Sequence, residues 1–201
     1  MFTWILGQPL TLERSGLGTV SGPTNGQLLE LGKTYKLTAK PAAGWLFAGW
    51  SGSTNRDDAT LNLVMRSNFT LRATFVTNSF VRLAGTWNGL AGESVPQPGH
   101  AGVYTAKLTP AGAASGKLLL GAAAISFKGQ FKPDGTLSAT MTTASREALR
   151  LRLAAPLDDP DGEMAGTLSG SNWTATVLAY RNPWTGKDPN TAPWQGSYLI
   201  P

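Results

Sequence analysis

A chain of 201 residues without cysteine carries no disulfide framework, thiolate zinc site, iron–sulfur cluster or cysteine nucleophile. Its 17 Lys and Arg against 12 Asp and Glu give a net charge of +5. The excess is diffuse: seven basic and four acidic residues lie in 1–78, ten and eight in 79–201, and the sole local cluster is Arg146, Arg150 and Arg152. Phosphate-backbone recognition needs a concentrated basic face, so no nucleic-acid partner is expected.

Only 14% of the residues are charged, well below the usual quarter, so the surface is built largely from Thr, Ser, Asn, Gln and Gly. That palette is common in extracellular β proteins. No run approaches the roughly 20 apolar residues of a membrane span. The segment Phe2 to Leu6 is too short for a signal peptide and lacks its basic flank. Export would use a signal that is not present in this chain.

Helix signals are nearly absent. Gly (24) and Pro (13) punctuate the chain, and the stretches between them alternate apolar and polar with period two. From Thr34 to Lys40, Tyr35, Leu37 and Ala39 face one way and the threonines and lysines the other. Thr60 to Met65 turns Leu61, Leu63 and Met65 inward, and Thr70 to Phe75 does the same with Leu71, Ala73 and Phe75. Such segments are half-buried antiparallel strands. Between them lies GWLFAGWSG at 44–52, two tryptophans and a phenylalanine among glycines, which is expected to be a packing staple with Trp50 buried.

A domain boundary is expected near Val76 to Phe80, giving a first domain over 1–78 and a second over 79–201. In the second, strands are expected at Phe80–Leu90, Val103–Thr109, Ser115–Leu120, Ala124–Phe131, Thr136–Thr142, Ala148–Leu153, Glu163–Leu168, Trp173–Tyr180 and Gly196–Ile200. Turn residues separate them: Pro110 to Gly112, Pro133 to Gly135, Asp159 to Gly162 and Gly170 to Asn172. Eight or nine antiparallel strands make an up-and-down meander, barrel-like or a two-sheet sandwich, and the even spacing favours the barrel. The fold class is therefore all-β.

Five separated motifs carry a family likeness: GLGTV at 16–20, GKTYKLTA at 32–39, PAAG at 41–44, FAGWSG at 47–52 and NFTLRATF at 68–75. Over residues 11–76 the chain resembles the bacterial repeat domain related to the internalin B-repeat, which implies a β-grasp-like module of exported and surface proteins. Trp45 stands where that family more often has tyrosine or phenylalanine. The remainder is similar to a domain that follows this repeat in large secreted proteins of Verrucomicrobia-like bacteria. Its phrases here are GTWNGL at 85–90, GVYTAKLT at 102–109, GKLLLG at 116–121, SFKGQF at 126–131 and GTLSGSNW at 166–173. That likeness implies no known activity. Since relatives usually continue past the equivalent of GSYLI at 196–200, it implies one of three things: a fragment truncated in its second domain, a shortened member, or a chain that ends on an exposed edge strand.

Chemistry-bearing residues are sparse. His100, the single histidine, lies in a loop without a nucleophile motif, and no Gly-x-Ser-x-Gly elbow exists. Glu93, Asp134, Glu163 and Asp188 are the carboxylates available for a glycosidase pair, and all lie in turn-like contexts. Asp159, Asp161 and Glu163 form the densest acidic run, too short for an EF-hand and at most a weak calcium candidate. Lys36 and Lys107 lie in strands without the pattern of an isopeptide crosslink. No cofactor and no catalytic residue are expected.

Trp184 and Trp194, with Asp188 between them, sit in a polar, proline-rich loop from Arg181 to Gly196 and are the ligand-binding candidates, because sugars stack on exposed aromatic rings. The expected function is a non-catalytic extracellular spacer and interaction segment of a bacterial surface or secreted protein. Its partners would be a polysaccharide, a cell-surface protein or neighbouring domains of a larger parent chain. The alternatives are a carbohydrate-binding module using the loop tryptophans and, third, a glycoside-active enzyme.

Overall fold

A computed structural model of the chain describes residues 6–95, 97 and 99–182. The regular structure is nearly all strand, and the described residues divide into two compact units with the main break between Ser79 and Phe80.

The first unit holds eight strands: β1 (Gly7–Pro9), β2 (Thr11–Ser15), β3 (Gly18–Ser21), β4 (Leu28–Glu30), β5 (Thr34–Pro41), β6 (Trp45–Gly52), β7 (Thr60–Val64) and β8 (Thr70–Thr77). They form the sheets β2-β8-β6 and β3-β5-β7 with a small β1-β4 pair. The early strand β2 runs parallel to the last strand β8, the pairing a β-grasp-like module needs. The alternation expected from the sequence is present. Leu37, Ala39, Leu61, Leu63, Met65, Leu71, Ala73 and Phe75 are buried, together with Leu10, Leu29 and Phe69.

The 44–52 stretch becomes β6 and its approach. Trp50 is 3% exposed and donates its indole N–H to the Asp58 carbonyl at 3.0 Å. Phe47 meets Trp50 and Phe75 edge-on at 5.3 and 5.6 Å, the arrangement aromatic quadrupoles prefer. The register slips between Phe47 and Gly49. Gly49 takes φ 136° there, a backbone that side chains disfavour, which lets the strand kink and send Trp50 inward.

The second unit opens with a departure from the expected Phe80–Leu90 strand. Phe80–Leu83 is a short helix, α1, and the strand β9 begins only at Gly85 (Gly85–Gly92). Phe80 and Leu83 are both buried, at the i, i+3 spacing of one helical face. The Leu83 carbonyl, free at the helix end, accepts the buried Trp87 indole N–H at 3.0 Å.

Seven strands follow: β10 (Gly102–Leu108), β11 (Ala113–Leu120), β12 (Ala123–Gln130), β13 (Thr136–Thr142), β14 (Ala148–Ala154), β15 (Met164–Ser169) and β16 (Thr174–Arg181). With β9 they form a single eight-stranded antiparallel sheet in the order β12-β11-β10-β9-β16-β15-β14-β13. The first strand pairs with the last, so the sheet curls into a nearly closed up-and-down barrel rather than a sandwich. The ladder is open only between β12 and β13. There the walls still meet, since a Cβ on Gly129 would lie 2.9 Å from Leu137.

The barrel interior is filled. Trp87, Tyr104, Leu118, Phe127, Leu151, Leu168 and Val177 point inward and are buried. Small residues make room for large ones: Gly89 lies opposite Tyr104, and Gly116 opposite Phe127. Outward positions carry mostly Thr, Ser, Asn, Lys and Arg, with Leu90, Val103, Leu119, Leu178 and Tyr180 as exposed exceptions, and the eight barrel strands contain no Asp or Glu. A polar wall around an apolar core is the inverse of a barrel that spans a membrane. Among the described residues, no helix is long and apolar enough to cross one.

Candidate functional site

Successive connections of an up-and-down barrel alternate between its two ends. The loops β9–β10 (93–101), β13–β14 (143–147) and β15–β16 (170–173) therefore share one end. They bring together Glu93, His100, Glu147 and Trp173. His100 stacks on Trp173 with ring centroids 4.4 Å apart and planes 12° from parallel. Its Nδ1 lies 3.1 Å from Glu93 Oε2. A carboxylate only accepts, so this contact places the proton on Nδ1. The pair is half-buried, at 31% exposure for the His100 side chain and 18% for Glu93.

Glu147 completes the group. Its Oε1 accepts the Ser171 backbone N–H at 3.1 Å, the Ser171 hydroxyl at 3.3 Å and the Trp173 indole N–H at 3.2 Å. The Ser171 backbone N–H is the main reason the carboxyl is held below the usual range; the Trp173 and Ser171 side-chain bonds and the nearby His100 add to it. The turn itself is built by Thr143, whose hydroxyl accepts the Glu147 N–H at 3.0 Å, and by Arg146, which takes φ 67°.

The arrangement ties three connections into one rim. His100 is thus a rim-bridging residue, where the sequence suggests an exposed loop histidine. Glu147 was not among the carboxylates the sequence singles out. The usable signal was strand parity, which sends the loops at 93–101 and 143–147 to the same end once the meander is accepted. Glu93 Oε2 and Glu147 Oε1 face protein donors, and the imidazole that pairs with Glu93 packs flat against the Trp173 indole.

The remaining expected site residues are dispersed. Trp184, Trp194 and Asp188 lie outside the described residues. Asp159, Asp161 and Glu163 sit together in the β14–β15 turn, but each carboxylate is engaged. Asp159 accepts the Asp161 N–H at 3.1 Å, Asp161 pairs with Arg181 at 2.9 Å, and Glu163 accepts the Tyr180 hydroxyl at 2.6 Å. Among the described residues, no group of three or more His, Cys, Asp or Glu converges to hold a metal. The basic cluster Arg146, Arg150 and Arg152 is split: Arg146 sits on the turn, while Arg150 and Arg152 line a shallow groove of about 360 Å³ over β13–β15 with Thr140, Thr167 and Ser169. Within the first unit, open grooves of about 710 and 520 Å³ run beside Arg14 and Leu17 and beside Arg56 and Arg66.

Residues 8–79 match the family model described as a divergent InlB B-repeat domain. The match covers the first unit and lends no support to the likeness suggested for the second half of the chain. No curated protein and no solved structure matches the chain.

Proposed function

We propose that this chain is a non-catalytic extracellular spacer and interaction segment of a bacterial surface or secreted protein. The observation that carries this reading is the filled barrel. Trp87, Tyr104, Phe127 and their neighbours occupy the space in which other eight-stranded barrels hold a ligand. The unit therefore has its outer face and rim to offer. The repeat-family match over 8–79 supports placement on an exported protein, since modules of this kind are strung along surface chains.

The test has two arms. Antibody against the chain should label intact cells of the source bacterium, and brief protease treatment of those cells should remove the epitope. Purified protein incubated with a panel of polysaccharides should release no reducing ends above a blank. Turnover that is lost in Glu93→Gln or Glu147→Gln would overturn the non-catalytic reading, and an epitope protected until lysis would overturn the surface placement.

A further inference from the structure

The outer wall over β13 to β16 carries a field made only of guanidinium and hydroxyl groups. Thr140, Arg150, Ser169 and Thr174 lie side by side across the four strands. Ser138, Arg152, Thr167 and Thr176 form the next row, two residues further along. The residues between the rows, such as Ala139, Leu151, Leu168 and Ala175, are buried in the barrel. At about 3.4 Å per residue and about 4.8 Å between strands, the field measures about 7 by 14 Å. The shallow groove of about 360 Å³ runs through it, with Arg150, Arg152, Thr140, Thr167 and Ser169 on its walls.

Most of these polar groups are free. Among the described residues neither guanidinium has an ion-pair or hydrogen-bond partner, and neither do the hydroxyls of Ser138, Thr140, Thr167 and Thr176. Thr174 and Ser169 bond to each other at 3.2 Å. Two like charges about 7 Å apart on one strand face, with no carboxylate on either flanking strand, repel each other until an anion lies between them. The adjoining turn brings Arg146 as well as Glu147, and Glu147 turns its Oε1 to Ser171 and Trp173. At the other end Ala154 and Ala165 occupy the next row. Glu163, four residues before Thr167, is held there by Tyr180.

We propose that this field binds an acidic polysaccharide, with a carboxylate or sulfate of the polymer between Arg150 and Arg152 and its sugar hydroxyls on Ser138, Thr140, Thr167 and Thr176. Guanidinium forks match oxyanions bidentately. A hydroxyl both donates and accepts, as its counterparts on a sugar do. The composition of the field separates this partner from others that carry negative charge. Single-stranded nucleic acid stacks its bases on aromatic platforms, and the two rows hold no aromatic ring. Duplex binding draws its affinity from many neutralised phosphates, and the field offers two charges. A protein partner needs a large anchor at the centre of its interface, and the groove is shallow and flanked by small hydroxyls. The assignment rests on reading the chain as an interaction segment, and it uses a surface other than the loop tryptophans.

The test is biolayer interferometry of the full chain on immobilised dextran sulfate, polygalacturonate and unmodified dextran, at rising salt. Binding is expected to a charged polymer and not to dextran, and should weaken as salt rises. Which charged polymer binds tells which oxyanion the guanidiniums take. Arg150→Gln with Arg152→Gln should weaken binding by about tenfold. Thr140→Val with Thr167→Val keeps the charge and should weaken it by about threefold through the lost hydroxyls. All four side chains are exposed, so neither pair should move the melting curve. Lys107→Gln with Lys117→Gln removes equal charge from elsewhere on the barrel wall and should have no effect. The assignment fails if neither charged polymer binds, if dextran binds equally, or if the valine pair binds as tightly as wild type. It fails too if the lysine pair matters as much as the arginines, or if a single-stranded oligonucleotide displaces the chain more effectively than free polysaccharide. None of these results alters where the chain is displayed or whether it turns a glycan over, so the spacer reading stands or falls by its own two arms.

Discussion

The Tyr104 hydroxyl lies inside the barrel and has no hydrogen-bond partner among the described residues. Burial pushes its pKa well above the ordinary tyrosine value. An unpaired buried hydroxyl costs on the order of 1 kcal/mol, so Tyr104→Phe should leave the melting temperature unchanged or raise it by a few degrees. The sign of the pH effect follows from the raised folded pKa. Its contribution is fully present below the unfolded value near 10 and is lost as pH rises beyond it, because the unfolded chain releases a proton that the folded chain keeps. Wild-type stability should therefore fall more steeply above about pH 10 than that of Tyr104→Phe, which parallel alkaline melts would reveal. Glu147 has the opposite sign. Its depressed pKa contributes stability above the unfolded carboxylate value and loses it as pH falls through the folded one. Glu147→Gln should flatten the acid limb of the same melts, and an unchanged limb would show that the rim bonds do not persist in solution. Trp184, Trp194 and Asp188 keep the role of a proposal: if a glycan array finds no polysaccharide ligand, or Trp184→Ala with Trp194→Ala leaves binding intact, the loop is not a sugar platform.

At the scale of elements, strands were legible wherever one face is buried and the other wet. Leu149, Leu151 and Leu153 alternate with Arg150 and Arg152 in the sequence and do so again in β14, buried against exposed. Helix α1 was not legible, because four residues are too short a window to establish any period; its distinguishing bond, Trp87 to Leu83, is tertiary. The rim of Glu93, His100, Glu147 and Trp173 was hidden for a related reason: its members are separated by up to 80 residues, and only the order of strands around the barrel unites them. Inward glycines are a further element-level device. A Cβ on Gly89 would run into the Leu178 carbonyl oxygen and Ala179, and one on Gly116 into the Thr105 carbonyl oxygen. Gly89→Ala should therefore destabilise the barrel by roughly 1–3 kcal/mol as an overpacking change. Gly92, on the same strand with nothing within 4 Å of its would-be Cβ, is the matched control, and equal effects of Gly89→Ala and Gly92→Ala would argue against crowding as the cause.

For the whole molecule, the decisive fact is that each unit buries its own tryptophan in its own core. Trp50 packs with Phe47 among the twelve buried residues of the first unit's core, while Trp87 is fully buried in the second and bonded to its helix. Contacts within each unit are what a cooperative folding block requires, so the break at Ser79 and Phe80 is proposed as a folding boundary as well as a geometric one. Calorimetry then has a definite expectation. Trp50→Phe should lower one transition and Trp87→Phe another, each by about 10 °C for a loss of about 2 kcal/mol in a domain of this size, with the unmutated unit's transition staying in place. If either substitution moves both transitions together, the two units fold as one block. A segment made of separately folding blocks would behave as a spacer whose parts yield one at a time under load, whereas a single block would fail all at once, so this measurement bears directly on the proposed role.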